Sequence, residues 1–401
     1  MSIKKIVTYI KNLNSSNIIA IVFLVAIFYI ATMEGQRIFK DVQKSNKNII
    51  TALDDGYQKM LEHNTEFLID KGTYVNLNGL MARLMGQKES NGVLKLNNGQ
   101  IGDWVKTEPG ITNAITQLTK LYEFQEEQGG EFLFALAPFQ ISNYEDLMPT
   151  GYVNYPNIAC DKLLAGLETN EVPYLDFRKM LHEEGINHKE AYFDTDHHWR
   201  PETGFWAYGK LIDYFVENKF MEAVDPKLTD KEQFNFTIAD KRFLGSGGRR
   251  TGIFWGGLDE IAIVTPKFET SDMVVSIPIS SIENEGSFYD IAYQKNVFDL
   301  DGYFTSNLYG AYGNGDRAIM NYTNKNAPSD VKVMVIGDSF TNSTTTYFSL
   351  IFKEYLELDL RYDGIDFMEQ YEAFKPDVIV VLIGGGVPSQ KNTTYDFLGE
   401  E

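Results

Sequence analysis

Apolar positions along this chain fall into two alternating patterns. Helical spacing, with apolar residues three and four apart, marks 111–128 (Ile111, Ala114, Ile115, Leu118, Leu121, Tyr122, Phe124), a segment around 158–167, and 201–218 (Phe205, Tyr208, Leu211, Ile212, Phe215). Continuous apolar runs of strand length lie between and after them: FLFALA (132–137), VPYLDF (172–177), VKVMVI (331–336) and VIVVLI (378–383). Strands that are apolar throughout, rather than at every second position, are buried on both faces. The pattern therefore predicts an α/β fold with a parallel sheet covered by helices on both sides. From about 240 to 305 the rhythm breaks into short runs (261–265, 273–279, 288–293) between repeated glycines, which we read as a β-rich insertion. A helix near 347–356 is expected to resume the alternation.

The N-terminal pattern differs. Residues 17–33 read NIIAIVFLVAIFYIATM, 17 residues without a charge, at the short end of what spans a bilayer. Lys4, Lys5 and Lys11 precede this run and every acidic residue follows it, which places the N-terminus inside and the rest outside. The exit lacks a small-x-small cleavage site, so an uncleaved anchor is preferred to a removed signal peptide. The expected organisation is a cytoplasmic basic segment at 1–16, a transmembrane helix at 17–33, and a juxtamembrane stalk and domain entry over 34–105, with a helix to about residue 68. The main α/β domain then fills 106–401, outside a bacterial membrane.

Composition narrows the function. The 401 residues, 43% hydrophobic and 13% aromatic, suffice for a large core, and a net charge of −20 argues against binding nucleic acid, whose phosphates call for basic surface. The single cysteine, Cys160, excludes an internal disulfide and multi-cysteine metal sites, and its apolar setting suggests a structural thiol.

Two motifs carry chemistry. Gly337-Asp338-Ser339-Phe340 stands at the end of VKVMVI, the strand edge where open α/β sheets bind ligands. A Ser on such a turn presents its hydroxyl outward with its own N–H beside it, the needs of a nucleophile with an oxyanion site, although a helix-cap Ser fits the same string. In Phe193-Asp194-Thr195-Asp196-His197-His198-Trp199, an Asp-x-His pair sets a carboxylate beside an imidazole and can fix its tautomer. Capping aspartates, or a divalent-metal site from Asp194, Asp196, His197 and His198, are the alternatives; no second cluster offers further ligands.

FDTDHHWRPETGFWAY followed by VMVIGDSFTNS resembles the DHHW proteins and the related alginate O-acetylation proteins of the SGNH-hydrolase-like superfamily. The resemblance covers roughly 110–390. It implies an α/β/α sandwich with Ser339 as nucleophile, His198 as general base and acid, and Asp196 as the carboxylate that orients it. His197 falls outside the D-x-H position and is left structural or substrate-facing. No G-x-N-D string supplies the superfamily's usual oxyanion donors, which leaves Asn342 and Gly384 as weaker candidates. Arg361, Arg249 and Arg250 are possible substrate contacts. The implied activity is O-acetylation of a cell-surface or exported polysaccharide, with no cofactor or resident metal and with a multi-spanning membrane O-acyltransferase as acetyl donor. An acetyl esterase with the same triad and a non-catalytic polysaccharide-binding subunit are the alternatives. Trp199, Trp206 and Trp255 are the expected sugar-stacking residues, although Trp206 also reads as core.

Overall fold

The computed structural model describes Ile21, 23–25, 28–29, Thr32, 71–240, 242–386 and 397–398. The chain divides into two compact units, Met1–Tyr74 and Val75–Glu401, and every described sheet lies in the second. Most of the expected anchor at 17–33 and the expected stalk helix at 34–68 lie outside the described residues. Among the described residues no helix is long and apolar enough to cross a membrane.

Three short strands, β1 (Glu89–Ser90), β2 (Val93–Lys95) and β3 (Ile101–Asp103), form a small antiparallel sheet. The main sheet begins with β4 (Glu131–Ala137) and β5 (Tyr174–Asp176). A separate antiparallel pair comes next, β6 (Phe234–Ile238) with β7 (Ala262–Pro266). The remaining strands, β8 (Met273–Ile277), β9 (Ile282–Gly286), β10 (Ile319–Asn324), β11 (Val333–Gly337), β12 (Glu354–Leu358) and β13 (Val378–Gly384), return to the main sheet. Its order is β5-β4-β13-β11-β12-β10-β8-β9, with the first five strands parallel and the last three added antiparallel.

The runs that form β4, β11 and β13 are buried on both faces, as their composition requires, while the run that forms β5 at the sheet edge is half-buried. Leu133, Ala135, Val333, Val335, Val378 and Val380 enter the core shared with the Phe177–Glu183 and Pro201–Glu217 helices. Their neighbours Phe132, Phe134, Met334, Ile336, Ile379 and Val381 enter the opposite core, under the helices Thr112–Glu127, Tyr155–Thr169 and Phe367–Phe374. Successive strand residues thus face opposite layers, and the three layers make an α/β/α sandwich around a mixed sheet.

The β-rich stretch at 240–305 extends the main sheet, because β8 and β9 join it through β10. Other expectations change. Residues 288–293 form a helix, Phe288–Ala292, rather than a strand: Phe288, Ile291 and Ala292 sit at helical spacing and Ser287 with Asp290 closes a capping box. The helix expected at 347–356 is instead a 3₁₀ segment, Thr345–Leu350, followed by β12. Glu357 interrupts the apolar pattern of that strand and hides it. The second compact unit begins at Val75, within the stretch read as stalk and domain entry, and β3 is tied to the DHHW loop by the Ile101 N–H donating to the Asp194 carbonyl at 2.9 Å.

Candidate active site

Ser339 leaves the carboxyl end of β11 on a turn that only glycine can open. A Cβ on Gly337 would meet Thr341 Cγ2 at 2.2 Å and the Leu382 carbonyl at 2.8 Å. The Asp338 carboxylate accepts from the Phe340 N–H and from the Gly384 N–H, both at 2.9 Å, and so ties the turn to the end of β13. Burial pushes the Asp338 carboxyl above its ordinary value, against the Arg361 charge. No protein acceptor takes the Ser339 N–H among the described residues, so that donor is free beside its own hydroxyl.

Asp196 and His198 reach the same edge on a loop closed by a Tyr192–Trp199 bridge, just before the Pro201–Glu217 helix. His198 Nε2 lies 2.6 Å from Ser339 Oγ, and His198 Nδ1 lies 2.5 Å from Asp196 Oδ1. An ionised carboxylate only accepts, so Nδ1 carries the ring proton and Nε2 is left to accept from the serine hydroxyl. Asp196 also takes the His198 N–H at 3.1 Å and the Ser246 N–H at 2.6 Å. All three side chains are buried, Ser339 at 8% exposure.

The electrostatics match that geometry. Burial alone would raise the Asp196 carboxyl, but the two imidazoles and the Ser246 N–H hold it well below the usual carboxylate range. Burial, with the neighbouring His197 pushing the same way, lowers the His198 imidazole against the pull of Asp196. His198 is therefore neutral and able to take a proton near neutral pH.

Several residues around this line carry no local sequence signal. Asp259, distant in sequence, accepts from the Asp194 N–H (2.7 Å), the Thr195 N–H (2.8 Å) and the Thr195 hydroxyl (2.6 Å). Burial pushes its carboxyl up to about 6. Gln140 donates to the carbonyls of Asp196 and Ile101, both at 2.6 Å. The Tyr309 ring stacks on the His198 imidazole at 4.0 Å and 12°, and its hydroxyl donates to the Ser339 carbonyl at 3.0 Å. One side chain thus touches both functional groups.

Most of the other sequence candidates are engaged elsewhere. Asn342 is buried and gives its amide to Asp316 Oδ1 at 2.9 Å. The Gly384 N–H is already spent on Asp338. Arg361 pairs with Asp359, its Nη2 at 2.5 Å from Oδ2, and Arg250 pairs with Asp103. Arg249 is half-buried, and burial lowers its guanidinium while Asp196 opposes the shift. His197 is half-exposed, with Nδ1 2.6 Å from Ser246 Oγ. Trp199 and Trp255 are core residues, so neither offers a ring to solvent. Trp206 is half-buried with its indole N–H donating to Glu184 at 2.8 Å. Cys160 is fully buried, and burial pushes its thiol up to about 12, consistent with a structural thiol.

Among the described residues, Asp196, His197 and His198 could bring three ligand atoms within 4.8 Å of one another; Asp194 is outside that group. Both His198 nitrogens and His197 Nδ1 already have hydrogen-bond partners, so the donor set reads more simply as a proton relay.

A three-layer sandwich with Ser, His and Asp aligned at the carboxyl edge of its parallel strands has the SGNH-hydrolase-like fold. Residues 103–234 match the family model described as the SGNH hydrolase-like domain of acetyltransferase AlgX, which bears out the resemblance read from the motifs. Bacillus cereus PatB1, solved with a sulfonyl adduct, superposes with a TM-score of 0.60 at 18% identity, over 76% of this chain and 97% of that one. A second structure of PatB1 gives 0.59 at 20% identity, over 76% and 99%. A DHHW family protein from Eubacterium siraeum gives 0.55 at 17%, over 77% and 95%. At these identities the likeness concerns the fold. No curated protein matches the sequence.

Proposed function

We propose that the chain is a membrane-anchored, extracytoplasmic O-acetyltransferase that modifies a cell-surface or exported polysaccharide through an acetyl-Ser339 intermediate. The observation that carries this reading is the unbroken line from Ser339 Oγ through His198 to Asp196, beside an unclaimed Ser339 N–H. The family match, whose description names an acetyltransferase, supports the reaction class. In the first half-reaction Ser339 Oγ attacks the acetyl carbonyl of the donor ester as His198 Nε2 takes its proton. The Ser339 N–H faces the developing oxyanion. Collapse expels the donor's alkoxide, which leaves as the alcohol with the proton from His198. A sugar hydroxyl then attacks acetyl-Ser339, giving its proton to His198, and Ser339 Oγ departs reprotonated. Asp196 keeps Nδ1 protonated and stabilises the imidazolium in both halves.

Water in place of the sugar makes the same line an esterase, so transfer depends on holding the sugar better than water. The extracytoplasmic placement leaves the donor to a multi-spanning membrane O-acyltransferase. Anchoring rests on the uncharged run at 17–33 and on Phe23, Leu24, Val25 and Phe28, which are helical and exposed.

The test is covalent labelling of the full-length protein with a fluorophosphonate, beside acetyl analysis of the surface polysaccharide. The adduct is expected on Ser339, and Ser339→Ala should abolish both labelling and acetylation at unchanged protein level. Acetylation that survives in Ser339→Ala would leave a non-catalytic role. A reporter fused after Glu401 should be active only outside the cytoplasm.

A further inference from the structure

The buried positions of Trp199 and Trp255 leave open which rings could meet a sugar. Two exposed tyrosines lie instead on loops at the carboxyl edge of the sheet, the edge that Ser339 occupies. Tyr144, 41% exposed, lies on the loop after β4, and Tyr362, 43% exposed, lies just beyond the end of β12. In the sheet order β4-β13-β11-β12, Ser339 leaves β11, so Tyr144 follows a strand two places to one side and Tyr362 a strand one place to the other. With neighbouring strands about 4.8 Å apart, β4 and β12 lie about 14 Å from each other, and the loops carry the rings beyond that.

Both rings are held in place. Tyr144 stacks on His182 at 4.4 Å and 11°, and both line a cavity of about 290 Å³ together with Pro138, Phe139, Asn187 and Tyr192. The Tyr362 hydroxyl donates to the Asp316 carbonyl at 3.2 Å, and the Asp316 carboxylate holds the amide of Asn342, three residues after Ser339. Asp316 thus links this second ring to the turn that carries Ser339.

We propose that an extended glycan acceptor lies across the carboxyl edge of the sheet, one pyranose ring stacked at Tyr144 and another at Tyr362, with the acetylated hydroxyl over Ser339. The inference rests on the polysaccharide reading above and specifies how the acceptor is held. Two separated, pre-ordered aromatic platforms suit a polymer of neutral rings. They present apolar faces to sugar C–H groups at low ordering cost, with polar edges nearby.

The experiment compares cells of the source organism lacking the gene and complemented with wild type, Ser339→Ala, Tyr144→Ala, Tyr362→Ala or the two Tyr→Phe variants. O-acetyl released from the surface polysaccharide is measured beside fluorophosphonate labelling of the full-length protein in the same membranes. Each Tyr→Ala change should lower acetylation about three- to tenfold, as loss of one stacking contact implies, while Ser339 labels as in wild type. The Tyr→Phe variants, which keep the ring, should restore most of the acetylation. Full acetylation in both Ala variants, or a parallel loss of labelling that Phe does not rescue, would overturn the acceptor track. Equal acetylation in wild type and Ser339→Ala would instead overturn the parent reading.

Discussion

Ser339 follows directly from β11, and the segment around it is anchored by neighbours in the sheet: Asp338 to the end of β13, and the Thr341 hydroxyl against Glu357 of β12. The loop bearing Asp196 and His198 runs between two helices, His188–Ala191 and Pro201–Glu217, and follows no strand of the main sheet. It is held by polar side chains borrowed from Gln140 and Asp259, and by the backbone of Ser246. The proposed nucleophile is thus built into the core, while its proposed base is delivered by a polar scaffold. Such a scaffold fixes orientation at the cost of desolvating each group in it, so it must be fully satisfied to be worth having. Tyr309 bridges the two, with its ring on His198 and its hydroxyl on the Ser339 carbonyl.

The largest effects should come from the line itself. Ser339→Ala and His198→Ala should each lower acetyl transfer by about 10⁴-fold or more, and the double variant should be hardly worse, because groups acting as one unit are not additive. His197→Ala should cost far less. Equal losses at both histidines, together with inactivation by chelators, would replace the relay with a metal site. Asp196→Asn keeps the shape but can hold the wrong imidazole tautomer, and the expected loss is about 10⁴-fold, as for the same change in serine proteases. Near-normal transfer in a folded Asp196→Asn protein would reduce Asp196 to a cap.

The same contrast explains what the sequence made legible. The parallel strands and their covering helices were readable because burial on both faces leaves an unbroken apolar run, as in FLFALA and VIVVLI. Ser339 was readable because its motif sits at the end of such a run. β12 was not, because buried Glu357 interrupts its pattern, and Phe288–Ala292 was misread because Phe288, Ile291 and Ala292 also suit a short strand by composition. Asp259 and Gln140 were invisible because their partners are backbone groups distant in the chain, which impose no residue spacing. The tryptophans misled because ring size alone does not separate a sugar platform from core.

The scaffold around the base is the next target. Asp259→Ala leaves the Asp194 N–H, the Thr195 N–H and the Thr195 hydroxyl without their acceptor, and a buried donor left unmade costs about 1–3 kcal/mol. A clearly lower melting temperature is expected, with fluorophosphonate labelling of Ser339 slowed as His198 loses its fixed position. Labelling at the wild-type rate in this variant would show that the loop holds its geometry without the scaffold. Tyr309→Phe keeps the stack on His198 and removes the hydroxyl's bonds to the Ser339 carbonyl and to Ser343 Oγ. It should slow labelling about tenfold, as the loss of an ordinary hydrogen bond to the Ser339 turn implies, without moving the pH midpoint of the reaction.

The change expected to touch activity least lies beside the Ser339 turn and appears as a pH dependence of stability. Burial pushes the Glu357 carboxyl up to about 7, against the Thr341 and Thr345 hydroxyls that lower it. The hydrogen bonds point the same way. The Thr341 hydroxyl has one proton and lies against both the Asp338 carbonyl and Glu357, so a protonated Glu357 can donate to Thr341 while Thr341 donates to Asp338. The folded protein then holds a proton that the unfolded chain releases near pH 4.5, the ordinary glutamate value. Stability from this group is complete below pH 4.5, falls as pH rises, and is lost once pH passes about 7. Glu357→Gln removes the titration and keeps a donor for Thr341. Thermal melts of the two proteins should run closest at the acid end and diverge toward pH 8, with the Gln variant the more stable there. Parallel melting curves across that range would mean that Glu357 stays ionised, and that the Ser339 turn is braced by a charge instead of a neutral carboxyl.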